Sequence, residues 1–242
     1  MRTPRANQGF FLTSKGAAVR LIGPVGFSEM IKGTKKGALK EPPRSDKKVM
    51  AIAAAAAKLF SARGYVETSM DDISAAAKIS KGGMYHYFGS KGDILYFISS
   101  TFMDLVLHNM RRDLEKADDP EERIRLIIFT HVKTYSEHMY MAKTLLNEAH
   151  NLLSSRLREI KAKEKKYYAT ITETLSSYLG PTVDKETLTV LTFCLLGMVN
   201  WIFAWYNPKG SMGPERLSHI IFDRFVRSLR TAGSEVPPPE AR

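Results

Sequence analysis

The 242-residue chain has a single cysteine, Cys194. That excludes a disulfide framework and any cysteine-rich zinc site, and it fits a reducing cytoplasm. The six histidines, at 86, 108, 131, 138, 150 and 219, form no H-E-x-x-H pair, and neither a Gly-rich phosphate loop nor a G-x-S-x-G elbow is present. No acid–base or nucleophile pair stands out, so neither an enzyme nor a protein carrying a metal or cofactor is expected. Alternation of the β type is also missing. What the chain has in excess is positive charge: 36 Lys+Arg against 25 Asp+Glu, a net +11, with a pI near 9.6. Such a balance points to polyanionic partners. With 44% hydrophobic residues, the length can fill a core in one large or two modest domains.

The charge is unevenly spread. Residues 1–45 hold nine Lys/Arg and two acids, a net +7, which leaves +4 for the other 197 residues. Six glycines, four prolines and no useful apolar stripe mark this stretch as a basic, flexible extension. Lys15 and Arg20 interrupt its apolar run and no small-x-small site follows, so it does not read as a signal peptide. Two readings stay open: a tail that touches phosphates, and a dispensable extension, with Met30 as an alternative in-frame start.

From Asp46 the texture is helical throughout. Asp46 can cap a helix to about Arg63, with Ile52, Ala53, Ala56, Leu59 and Phe60 on one face and Gly64 closing it. Thr68 or Ser69 caps a short helix ending near Ala77, with Asp71 and Asp72 against the positive end of its dipole. After a four-residue break, Ser80 caps a third helix, Lys81 to Phe88, and Ser90 then caps a long one. Two short helices joined by a tight turn make a helix-turn-helix reading. Ile73, Ala76, Ile79, Met84 and Phe88 can pack the pair, and Gly82 and Gly83 let the backbone come close to DNA. Tyr85 and His86 project from the same element, Lys81 and Lys91 flank it, and the helix starts near Ser69 and Lys81 can hold phosphates.

Residues 52–95, through L-F-S-A-R-G-Y-V-E-T-S-M-D-D-I to I-S-K-G-G-M-Y-H-Y-F-G-S-K-G-D-I-L, closely resemble the DNA-binding domain of the TetR family of bacterial regulators. The resemblance implies an all-α homodimer: an N-terminal three-helix helix-turn-helix domain (46–92) and a larger helical effector-binding and dimerisation domain (93–232). It carries phosphate contacts to Ser69, Tyr85 and Lys91, with Ser80 at the cap between them, and base-proximal positions to Lys81, Gly82, Gly83 and His86. Many members have Thr after the Lys-Gly pair; Gly83 stands there instead, which removes one side-chain contact.

In the larger domain a long linking helix covers 91–116. Asp119-Pro120-Glu121-Glu122 starts a helix to about His138 with cap, proline and acid in place. A shorter helix covers 142–149. Another spans 155–179, and its charged run at 156–166 is either a solvated face or a set of lysines for an acidic ligand. Thr187–Pro208 has no charge over 22 residues, long enough to span a membrane. Thr189, Thr192, Asn200 and Asn207 and the lack of basic flanks favour a buried helix instead. With an apolar-striped helix at 214–230, it forms half of a four-helix dimer interface, and no membrane partner is expected. A disordered tail is expected over 233–242.

The run G-M-V-N-W-I-F-A-W-Y-N-P-K-G (197–210) is similar to TetR-type regulators that respond to acyl-CoA thioesters. That similarity implies an apolar acyl tunnel lined by Phe102, Met103, Phe129, Leu145, Phe193 and Trp201, with Asn200 as a polar contact. Each of these reads more readily as plain core than as ligand wall, and His131 and His150 either orient a ligand or, the favoured reading, are satisfied core groups. The expectation is a cytoplasmic bacterial repressor on a double-stranded palindromic operator, released by a small hydrophobic effector. A sensor of cationic drugs, a nonspecific basic DNA-binding protein and a membrane-attached helical protein are the rivals.

Overall fold

The computed structural model describes residues 44–235, so most of the extension expected over 1–45 and of the tail expected over 233–242 lies outside the described residues. Among the described residues the chain is all-helical: α1 Arg44–Arg63, α2 Met70–Ala77, α3 Lys81–Tyr87, α4 Lys91–Leu114 and α5 Pro120–Glu137 come first. Then follow α6 Met139–Glu148, α7 Ser154–Leu179, α8 Lys185–Asn200, the single turn α9 Ile202–Trp205 and α10 Pro214–Glu235. Most expected boundaries hold to within about three residues, but the uncharged stretch expected as one helix over 187–208 breaks at Trp201, and α10 runs five residues past its expected end, three of them in the segment expected as a tail.

The helix starts follow their caps. Ser69, Ser80, Ser90, Asp119 and Asp184 each accept the backbone N–H three residues on, at 2.8–3.2 Å. At α2 the Asp72 carboxylate returns a bond to the Ser69 N–H, which completes a capping box. Gly64 ends α1 with φ +92°, a conformation open to glycine, and its N–H reaches the Phe60 carbonyl. Lys78 takes the same left-handed region (φ 57°) in the turn between α2 and α3.

The α1 stripe packs as expected, but one assignment changes. Ile73, Met84 and Phe88 are buried and Ile79 packs against them, whereas Ala76 is exposed. The break ends α2 after Ala77 and leaves Ala76 on the outer side of that two-turn helix. The buried residues form one cluster, from Ile52 and Phe60 in α1 through Ile94 and Phe102 in α4 to Ile128, Ile171, Leu195 and Phe225. The three-helix unit therefore shares its core with the larger domain through α4. On α6, Thr144 Oγ1 also donates to the Ala57 carbonyl of α1 at 3.3 Å.

The charged run of α7 is not simply a solvated face. Arg156 pairs with Asp93, Tyr96 donates to Glu159, and Lys163 Nζ binds Ser100 Oγ at 2.7 Å and Asp104 at 2.6 Å. These α7 positions form one stripe, matched by Asp93, Tyr96, Ser100 and Asp104 on α4. Because both series ascend together, α4 and α7 run parallel along this polar seam.

Candidate nucleic-acid interface and effector region

The α2–turn–α3 unit places its polar residues outward. Lys81, Gly82, Tyr85 and His86 are exposed, with Tyr85 at 48%. Lys81 is held back toward α2 by Asp71 at 3.0 Å, which raises its pKa. A phosphate or base edge must therefore compete with that carboxylate. A Cβ on Gly82 would meet nothing within 4 Å, so this is where backbone can approach a groove. Gly83 differs: a Cβ there would sit 3.1 Å from Ile79 Cγ2 and from Ser80 Oγ, so it faces the turn rather than open space.

Ser69 is exposed but committed to its capping box, and the hydroxyl also donates to Asp72 at 2.7 Å. Arg63 reaches the same carboxylate at 2.6 Å. Hydrogen bonds from the Ser69 side chain, then from Arg63, hold Asp72 well below the usual carboxylate range. Lys91 lies beside this start of α2. Its Nζ donates to the Tyr65 and Val66 carbonyls at 2.7 and 3.2 Å and sits 4.3 Å from the Tyr65 ring centroid. The residue thus clamps the α1–α2 loop, and only its remaining N–H is available to a phosphate.

In the larger domain the expected effector residues divide. Phe102, Met103 and Leu145 are buried, Phe129 is half-buried, and Asn200 accepts a hydrogen bond from Tyr135 Oη at 3.1 Å. Phe193 and Trp201 do not join them. They are 59% and 63% exposed, because α8 turns Leu195, Leu196 and Val199 inward and positions 193, 197 and 201 outward. Neither can line an interior tunnel of a single chain. Val190, Met198 and Trp205 share that exposed side, so the uncharged segment is buried on one face only. Lys185–Trp205 is long and apolar enough to cross a membrane, with mean hydropathy 1.8, but its inner face is integral to the helical core.

Sequence reasoning named Phe102, Asn200 and His131 but not Tyr135 and Tyr167, which join them at the centre of this domain. His131 is 2% exposed, its ring stacks on Tyr135 at 3.9 Å between centroids, and Nδ1 is hydrogen-bonded to the Tyr167 hydroxyl. Phe102 meets Tyr135 edge-on at 5.1 Å. Burial lowers the His131 pKa to about 3, against a smaller opposing influence of the Val199 carbonyl, and pushes Tyr135 and Tyr167 up. The i, i+4 pairing of His131 with Tyr135 was readable; the meeting with Tyr167 and Asn200 was not. His150 is exposed and outside this group. An open cleft of about 270 Å³ lies elsewhere, between α5 and α10, but its arginines 125, 227 and 230 already pair with Glu122, Asp223 and Glu121.

A short helix presented outward behind a capped turn, on a helical body with its own buried polar centre, defines a helix-turn-helix regulator of DNA. Residues 52–96 match the family described as "Bacterial regulatory proteins, tetR family", and residues 117–229 match "Tetracyclin repressor-like, C-terminal domain". The chain belongs to the TetR family of bacterial transcriptional regulators. It is 35% identical to the HTH-type transcriptional regulator HbdR of Aromatoleum sp. (strain CIB) over 89 residues, 37% of this chain and 39% of that protein. It is 24% identical to the HTH-type transcriptional repressor KstR2 of Mycobacterium tuberculosis (strain ATCC 25618 / H37Rv) over 169 residues, 67% of this chain and 82% of that one. Among solved structures, AibR in complex with isovaleryl coenzyme A and operator DNA superimposes with TM-score 0.65 at 30% identity, covering 73% of this chain and 97% of that chain.

Proposed function

We propose that the protein is a cytoplasmic homodimeric repressor that leaves its operator when an acyl-CoA thioester, or a similar hydrophobic effector, binds the larger domain. The observation that carries this reading is the outward α3 surface of Lys81, Gly82, Tyr85 and His86 beside the capped starts of α2 and α3. Two copies related by a two-fold axis would place their α3 helices about 34–36 Å apart on a roughly palindromic site. The exposed apolar side of α8 and α9, with Phe193, Trp201 and Trp205, supports the second copy. The likeness to a structure holding isovaleryl coenzyme A and operator DNA supports the effector class.

Release requires the effector to bind the DNA-free conformation better than the DNA-bound one. The test is fluorescence anisotropy on the protein's own upstream DNA and on scrambled DNA, at two salt concentrations, with an acyl-CoA panel. Specific binding reversed by one thioester is expected. Equal binding to both DNAs would remove the repressor reading, and indifference to every thioester would remove the effector class.

A further inference from the structure

Among the described residues, three buried side-chain atoms have no hydrogen-bond partner: Ser99 Oγ, His131 Nε2 and His138 Nδ1. Folded proteins pair nearly all such groups, so each orphan calls for an explanation. His131 stands out because its other nitrogen is bonded to Tyr167 and its ring is stacked on Tyr135. The Tyr167 hydroxyl makes no hydrogen bond except to Nδ1, and burial keeps this phenol protonated. Tyr167 is therefore assigned as donor and Nδ1 as acceptor, which puts the proton of the neutral ring on Nε2. The result is a fully enclosed N–H donor that lacks a well-aligned acceptor: the Val199 carbonyl acts on the ring but does not meet Nε2 in hydrogen-bond geometry. Ser99, one turn before Phe102 on α4, supplies a second unpaired group on the helix that packs edge-on against this cluster.

We infer that His131 Nε2–H is the polar contact for the effector and that it receives an uncharged carbonyl oxygen on an otherwise apolar molecule. This rests on the proposed effector-binding role of the larger domain. The neighbours select the class. Tyr135, Tyr167, Phe102 and Asn200 bring no cation, so a carboxylate would be buried without compensation. A hydroxyl would bring a donor of its own, which would have to share Asn200 Oδ1 with Tyr135. A carbonyl adds only the acceptor that is lacking.

The ring is enclosed by α5, α7 and the last turn of α8, so binding there requires these helices to part. Tyr167 continues the α7 stripe of Arg156, Glu159 and Lys163 that grips α4. A shift of α7 reaches the Ser90–Asp93 cap, next to the Lys91 clamp on the α1–α2 loop.

The experiment measures thermal melting and operator anisotropy of the full chain with two matched pairs of probes. Isovaleryl-CoA is set against S-isopentyl-CoA, the thioether lacking the carbonyl, and 2-nonanone against nonane. For the wild type, at least one carbonyl compound should raise Tm more than its partner. His131→Phe should keep the wild-type DNA affinity, melt no lower, and bind the carbonyl compound about tenfold more weakly, without distinguishing it from its partner. His131→Gln, which returns an N–H near the Nε2 position, should recover part of the discrimination, and it decides the matter if the Phe variant fails to fold. Protection by 2-nonanone but not by isovaleryl-CoA, lost in His131→Phe, would remove the thioester reading and leave His131 standing. Discrimination that survives in His131→Phe, or a wild type that discriminates in neither pair, would overturn the inference.

Discussion

On the outward side of α3, proposed to meet DNA, Lys81, Tyr85 and His86 are exposed, and their supports come from nearby sequence: Ser80 caps their helix, and Asp71 holds Lys81 from ten residues away. Around His131 the groups come from positions 102, 131, 135, 167 and 200, on four helices, and lie in the core. The first site is polar because water covers it, and its residues can change at small cost to the fold. The second is polar inside an apolar body, where each unmatched group destabilises by about 1–3 kcal/mol. A site kept under that handicap is where mutation should improve stability while removing response.

The largest effect expected from breaking this contrast lies outside both sites. Trp201→Asp on the outward face should abolish dimerisation and specific operator binding while the monomer stays folded, as read by sedimentation and anisotropy. A variant that stays dimeric would place the interface elsewhere. Next is Phe60→Ala in the α1 core, 1% exposed, which should cost about 3–5 kcal/mol. Because the core is continuous into α4, calorimetry should record one transition, moved down as a whole. Two separated transitions would show that the regions fold independently.

The third test uses pH. In the unfolded chain His131 takes a proton near pH 6.5, and in the folded chain only near about 3. Between those values the unfolded state binds more protons, so the contribution of this residue to stability is full above 6.5 and is lost as pH falls toward 3. The Tm of His131→Phe should fall less steeply between about pH 7 and 4. Equal slopes would contradict burial of a neutral ring. Lys91→Ala should lower stability by about 1 kcal/mol through the freed Tyr65 and Val66 carbonyls. It should also lower the salt slope of DNA binding by about 1; an unchanged slope would leave Lys91 as a clamp alone. The smallest effect is that of Gly82→Ala, which should stabilise α3 by about 0.5–1 kcal/mol and weaken DNA binding, since the added methyl meets only the groove.

The same contrast explains how much was legible beforehand. Helix starts at 69, 80, 90 and 119 were readable because a cap is a relation between residues three apart, and the outward position of Lys81, Gly82, Tyr85 and His86 followed from them. The outward turn of Phe193 and Trp201 was not readable, since an uncharged helix gives no polar stripe to mark its exposed side. Nor was the role of the charged run on α7: charges facing a parallel helix and charges facing water look alike in one dimension. Ala76 failed for a related reason, because small residues fit either side of a two-turn helix. His131 was visible as a histidine among apolar neighbours, but its phenolic partner lies 36 residues away.

Trp201 and Trp205 are the only tryptophans in the chain, and both stand on the outward side of α8 and α9. The indole emission of the protein therefore originates from one surface. Diluting an associated sample should redden and quench that emission without a label, and covering the surface should move it to the blue. The molecule thus carries its own optical gauge of whether that face is wet.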